Sequence, residues 1–184
     1  MINLQQIVTN NSIDEIHNIN HSELPSLIQL ALSESACEIA DKALDKLNDI
    51  NSMVDGSIEG WQMPLLHIAI TSTLMNSRFP RPAAEGPKND GSVFESQLAI
   101  LKKIIAMGAD MSAEDTYGNL PVMRAVLDAL AIDLSITDDE FDEDVETVFG
   151  LLIDSGCDIK EKTQTRQSVL EMFRNNVVLT YFPQ

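Results

Sequence analysis

The chain has 184 residues and a formal net charge of −17, with 44% apolar and only 5% aromatic residues. That length supports one domain with a sizeable core, and the apolar fraction excludes a disordered chain. The acidity argues against direct nucleic-acid binding, because a carboxylate-rich surface repels phosphate.

The first cation in the chain is Lys42, so no basic n-region precedes an apolar run, and no classical secretory signal is expected. No apolar run reaches the length of a membrane span. Aromatic residues are sparse while Leu, Ile, Ala and Met are common, which predicts an all-α fold packed through aliphatic side chains. Cys37 and Cys157 stand 120 residues apart and read as two buried thiols in a reducing compartment. The expected location is the cytoplasm, or another cell reached without a classical signal.

Four stretches carry a Ser or Thr followed three residues later by Glu: Ser12–Glu15, Ser35–Glu38, Ser92–Glu95 and Thr137–Glu140. Each precedes an apolar-periodic segment, so each is predicted to cap a helix start. In chain order, helical layers are predicted over 2–19, 24–47, 64–107, 120–155 and 167–180. The first has a polar outer face and the last is a closing cap. The helices at 95–107 and 145–155 both end on Gly-Ala-Asp or Gly-Cys-Asp, at Gly108 and Gly156, where glycine fits the left-handed position that terminates a helix. Degenerate copies of this ending lie at 17–20 and 48–51.

Aligning the polar residue of that punctuation gives Asn18, Asp49, Asp110 and Asp158, at spacings of 31, 61 and 48. The first is near a repeat period of about 33 residues. The excess in the others falls into two insertions. Residues 76–91 hold three prolines and two glycines without apolar periodicity, and residues 132–144 are acidic.

The stretch "GADMSAEDTYGNLPVMRAV", residues 108–126, resembles the junction of the ankyrin repeat family. Gly108, Ala109, Asp110, Ala113, Asp115, Gly118, Pro121, Ala125 and Val126 fall on or near its marked positions. "PLLHIAI", residues 64–70, is similar to the start of the family's first helix, with Leu66, His67 and Ala69 in place. Met123 stands where the motif has His, and Leu120 where it has Thr. The resemblance implies an ankyrin-like stack of helix pairs joined by short β-turns, forming one domain over 1–184. Residues 1–50 would be degenerate layers, 51–159 the recognisable repeats with their insertions, and 160–184 the C-terminal cap. It also implies binding through turn tips and exposed first-helix positions, here Trp61, Glu114, Asp115, Tyr117, Arg124 and Asp128.

No catalytic constellation is legible. His67 occupies the repeat's own histidine slot, which implies a bond to turn backbone. His17 and His21 are four apart but have a turn signal between them and no third ligand nearby. Neither cysteine has a basic neighbour in sequence to lower its pKa. No phosphate-binding loop and no nucleophile elbow is present. The expectation is a protein that is not an enzyme and needs no cofactor or metal.

Asp138, Asp139, Glu140, Asp142, Glu143, Asp144 and Glu146 crowd nine residues around Phe141. Three readings stay open: a calcium loop, lacking the usual central glycine; a solvated loop favouring the next helix N-terminus; and a docking surface anchored by an exposed Phe141. The insertion at 76–91 contributes Arg78, Arg81 and Lys88, and the two insertions are expected to leave the same edge, where they touch or share a partner. The functional expectation is a non-enzymatic binder or inhibitor of a basic partner protein, in an immunity, antitoxin-like or effector role. The alternative is a nucleic-acid mimic that blocks a DNA-binding protein.

Overall fold

The computed structural model describes residues 3–56, 60–79, 88–132 and 138–183. They form a mostly helical fold with one small two-stranded sheet. In chain order the elements are α1 (Leu4–Thr9), α2 (Leu24–Ser33), α3 (Cys37–Leu44), β1 (Met53–Asp55), β2 (Gln62–Pro64), α4 (Leu65–Met75), α5 (Gly91–Ala106), α6 (Pro121–Ala131), α7 (Asp139–Asp154) and α8 (Val169–Met172). Short 3₁₀ turns cover Ile13–Asn18, His21–Glu23 and Val177–Tyr181.

Each predicted layer contains a pair of helical elements, and neighbours in sequence are neighbours in space. α2 packs on α3, α4 on α5, and α6 on α7; α4 sits between α2 and α6, while α5 contacts α3 and α7. The core is correspondingly aliphatic. Leu24, Leu27, Ile28, Ala31 and Leu32 bury one stripe of α2, and Leu65, Leu66, Ala69, Ile70 and Leu74 fill α4. These sit three and four residues apart, the spacing that lines one face of a helix.

The glycine punctuation forms as predicted. Gly108 and Gly156 have φ of 91° and 108°. Gly108 N–H donates to Ile105 C=O and Ala109 N–H to Ile104 C=O; Gly156 and Cys157 repeat both bonds to Ile153 and Leu152. This pair of bonds satisfies carbonyls that a helix end would otherwise leave bare. The aligned aspartates also behave alike: Asp49, Asp110 and Asp158 each accept, through Oδ1, the backbone N–H two residues on, at 2.8–2.9 Å.

Helix starts differ from the predicted caps. α5 begins at Gly91, capped by Asp90 rather than Ser92, and α7 begins at Asp139, capped by Asp138, whose Oδ1 accepts from Phe141 N–H. Ser35 has a positive φ of 56° and lies in the α2–α3 turn, where the cap position is Ala36; Ser12 makes no side-chain cap bond. Thr137 and Arg81 lie outside the described residues, as do 80–87 and 133–137 of the two insertions. An aspartate close to the helix start accepted the amide that the motif assigned to Ser or Thr.

The small sheet is a further difference. β1 and β2 pair antiparallel with Val54 opposite Met63, and both side chains are buried. Where a simple turn was expected, the α3–α4 connection carries this antiparallel pair, with β1 against α2 and β2 against α4. Cys157 is buried as expected, but Cys37 is only half-buried. No helix among the described residues is long and apolar enough to cross a membrane.

Candidate functional site

The thirteen residues singled out by sequence fall into two separate clusters. The first surrounds the start of α7. Because the helix begins at Asp139, the acidic run is a helix N-terminus rather than a loop. Its apolar positions, Phe141, Val145, Val148, Phe149 and Leu152, make one buried stripe. Phe141 is therefore no exposed anchor: it is fully buried, edge-on to Tyr181 with ring centroids 6.4 Å apart. Asp144 lies three residues further along the same stripe and is 1% exposed.

Arg78, from the preceding layer, answers that buried carboxylate. Its Nη2 is 2.6 Å from Asp144 Oδ1 and its Nε 3.1 Å from Oδ2, and its backbone N–H donates to Oδ2 at 2.8 Å. The same guanidinium reaches Glu143 at 3.3 Å and Glu140 at 3.5 Å. Asp144 above all raises the pKa of Arg78. Lys88 pairs with Asp138 and, at 2.7 Å, with Glu140. Lys88 and the Phe141 amide hold Asp138 below the ordinary carboxylate pKa. Asp142 is half-buried and accepts from Tyr181 Oη at 2.8 Å. The described parts of the two insertions touch, and Arg78 and Lys88 pair with Asp138, Glu140, Glu143 and Asp144 of the acidic run. Asp139, Glu140 and Glu143 remain exposed.

The second cluster is an open groove of about 410 Å³. The first helices of three successive layers each present a stripe to it: Gln29 and Ser33 from α2, Ile68 and Thr71 with Met75 from α4, and Arg124 with Asp128 from α6. Each set is spaced three or four residues apart, one face of one helix. The hairpin supplies Trp61 and Met63 at one end. The Trp61 ring lies directly on Gly56; a Cβ there would approach the indole to 2.7 Å, so glycine is what lets the ring seat.

Trp61 is half-buried. Its Nε1–H donates to Asp115 Oδ2 at 3.4 Å, and its ring stands 6.0 Å from that of Tyr117, which is 46% exposed. Asp115 and Asp128, both assigned to the surface by sequence, are 4% exposed. Asp115 is the hub of its turn, its Oδ1 accepting from the N–H groups of Tyr117 and Asn119 and its Oδ2 from Asn119 Nδ2. Asp128 accepts from Thr71 Oγ1 at 2.7 Å and from Nε and Nη2 of half-buried Arg124. Burial raises the pKa of Asp128 against those pairings. Glu114 is exposed beside Asp115.

His67 lies behind the groove wall. Its Nε2 is 3.0 Å from Ala113 C=O, a carbonyl of the next turn, as its sequence position implied. Burial lowers its pKa to about 4, so the ring is neutral and donates through Nε2. His17 and His21 are exposed and occupy two separate 3₁₀ turns. Cys157 is pushed up to about 12 by burial, and Cys37 is raised for the same reason; neither is poised as a thiolate.

Sequence reading found the α6 and hairpin sides of the groove and missed the α2 and α4 sides. The missing signal was the three-to-four-residue spacing of Gln29–Ser33 and Ile68–Thr71–Met75 on the faces opposite the buried stripes. No family model matches the chain, and no curated protein matches it.

Proposed function

We propose that the chain is a non-enzymatic protein-binding module built as an ankyrin-like stack, and that its contact face is the groove with the adjoining turn tips. One observation carries the reading: α2, α4 and α6, the first helices of three successive layers, line a single open groove together with Trp61. The repeated glycine–aspartate turn and the bond from His67 to the next turn support the ankyrin-like assignment. The partner is basic. A net charge of −17 creates a negative field that steers a cationic protein and raises its association rate. The acidic start of α7 contributes to that field at long range, since its carboxylates already hold Arg78 and Lys88.

Three proteins compared in affinity capture at low and moderate salt test this: the native chain, Ser33→Phe, and a form with Asp139, Glu140, Glu143 and Glu146 made neutral amides. Ser33 is exposed, so phenylalanine there blocks the groove without touching the core. The expected result is one basic protein held by the native and α7-neutralised chains and lost by Ser33→Phe. Loss with the α7 variant alone moves the interface to α7. Salt-dependent release of many DNA-binding proteins together supports mimicry of nucleic acid instead.

A further inference from the structure

We infer that the groove receives one large apolar side chain from the partner, carried on a segment with Lys or Arg flanking it. The inference rests on the protein-binding reading and specifies the chemistry of the bound segment.

Most of the groove's side-chain donors are already engaged within the protein. Gln29 Nε2 donates to Asp55 C=O at 2.7 Å, Ser33 Oγ to Leu30 C=O at 2.8 Å, and Ser72 Oγ to Leu32 C=O at 2.7 Å. Asn76 Nδ2 donates to Ser72 C=O, and Thr71 and Arg124 converge on Asp128. A polar occupant would lose its water and regain few hydrogen bonds, whereas an apolar one loses nothing by entering. What the walls offer is Trp61, Met63, Ile68 and Met75. Methionine adapts to occupants of irregular shape, and the indole supplies a broad, rigid contact area.

The groove's charged pair, Arg124 and Asp128, is mutually neutralised, so it selects no sign of charge. The sequence around the rim does select one. Glu34 follows Ser33, Asp55 precedes Gly56, and Glu114 adjoins the Asp115 that holds Trp61; all three are exposed. Arg78, two residues beyond Asn76, is held by α7. These exposed carboxylates, each next in sequence to a residue that lines or braces the groove, complement a basic–apolar–basic segment. A cavity of about 410 Å³ admits one Leu, Met or Phe side chain with part of its backbone, the size of pocket in which interface anchors sit.

The test is selection of a random twelve-residue peptide library displayed on phage against the native chain, followed by binding of the enriched peptides. Trp61 is the only tryptophan, so its emission reports groove occupancy without a label. The expected peptides carry one Leu, Met or Phe between Lys or Arg residues, shift Trp61 emission to the blue, and lose about tenfold or more in affinity when the anchor becomes Ala. Ser33→Phe weakens them to the same degree. Enriched peptides lacking an apolar anchor, peptides bound equally by Ser33→Phe, or no enrichment at all overturn the inference. A basic protein that the native chain captures, and that no selected peptide displaces, overturns it while leaving the protein-binding reading standing.

Discussion

The start of α7 and the groove under Trp61 differ in a way that composition hides. The first holds seven carboxylates in nine residues, yet it is closed. Its aromatic residue is core, its central aspartate is buried against Arg78, and its outer carboxylates share Arg78 and Lys88. The second contains one ion pair and no run of charge, yet it is open, lined by three helices, and walled by apolar side chains. Charge density in a sequence marks where cations will be needed, and the chain itself can supply them. An unfilled concave surface is a property of how helices stack, and no single segment announces it.

That contrast can be broken by mutation. The largest effect is expected at Phe141: Phe141→Ala empties a fully buried site and should cost about 4 kcal/mol in urea unfolding. An exposed docking residue would cost almost nothing. Asp144→Ala comes next, at about 2 kcal/mol, because it takes the main acceptor from the half-buried Arg78 guanidinium and from the Arg78 N–H. Asp139→Ala, one turn away and exposed, should stay within about 0.5 kcal/mol in the same assay.

Acid sharpens the comparison from the other side. His67 takes a proton near pH 6.5 when unfolded and only near 4 when folded. Between those values the unfolded chain binds more protons, so stability falls as pH drops from about 6.5 to 4, by up to about 3 kcal/mol, and then levels off with respect to this group. Asp138 acts in the same direction but over a lower pH range. Its depressed pKa adds stability above the unfolded value of 3.8, and that stability is lost only as pH falls below it. Chemical denaturation from pH 7 to 4 should therefore show a loss that His67→Gln flattens and Asp138→Asn leaves in place. The smallest effect belongs to Lys88→Ala and fades with added salt, since its pairs are solvent-exposed.

The helices were largely legible in the sequence, because aliphatic periodicity and glycine ends are local signals. Gly108 and Gly156 end helices as their spacing implied, and His67 reaches the neighbouring turn. The helix starts were misplaced by a few residues because Asp90 and Asp138 compete with the Ser and Thr of the capping motif. At α7 the insertion boundary mattered more than the cap: drawn at 144, it left Phe141 and Asp144 in a presumed loop, whereas the helix begins at Asp139 and buries both. The β1–β2 hairpin was missed because strands of three residues are too short to show alternation. Half of the groove was missed because Gln29, Ser33, Thr71 and Met75 look like ordinary solvent-facing positions until three helices are laid side by side.

Arg78 has a consequence for the order in which the protein comes apart. It belongs to the segment after α4, and its grip on Asp144 reaches 66 residues along the chain into α7. Neighbouring layers in a stack could otherwise fray one at a time, but this pair rivets two of them, so α4 and α7 should exchange their amide hydrogens with one common opening energy. Among the described residues, the six-residue α1 and four-residue α8 make no ion pair to another helix, and both are too short to hold themselves. Hydrogen exchange should therefore advance inward from both ends and halt at the riveted middle, while Arg78→Ala should let α7 exchange ahead of α4.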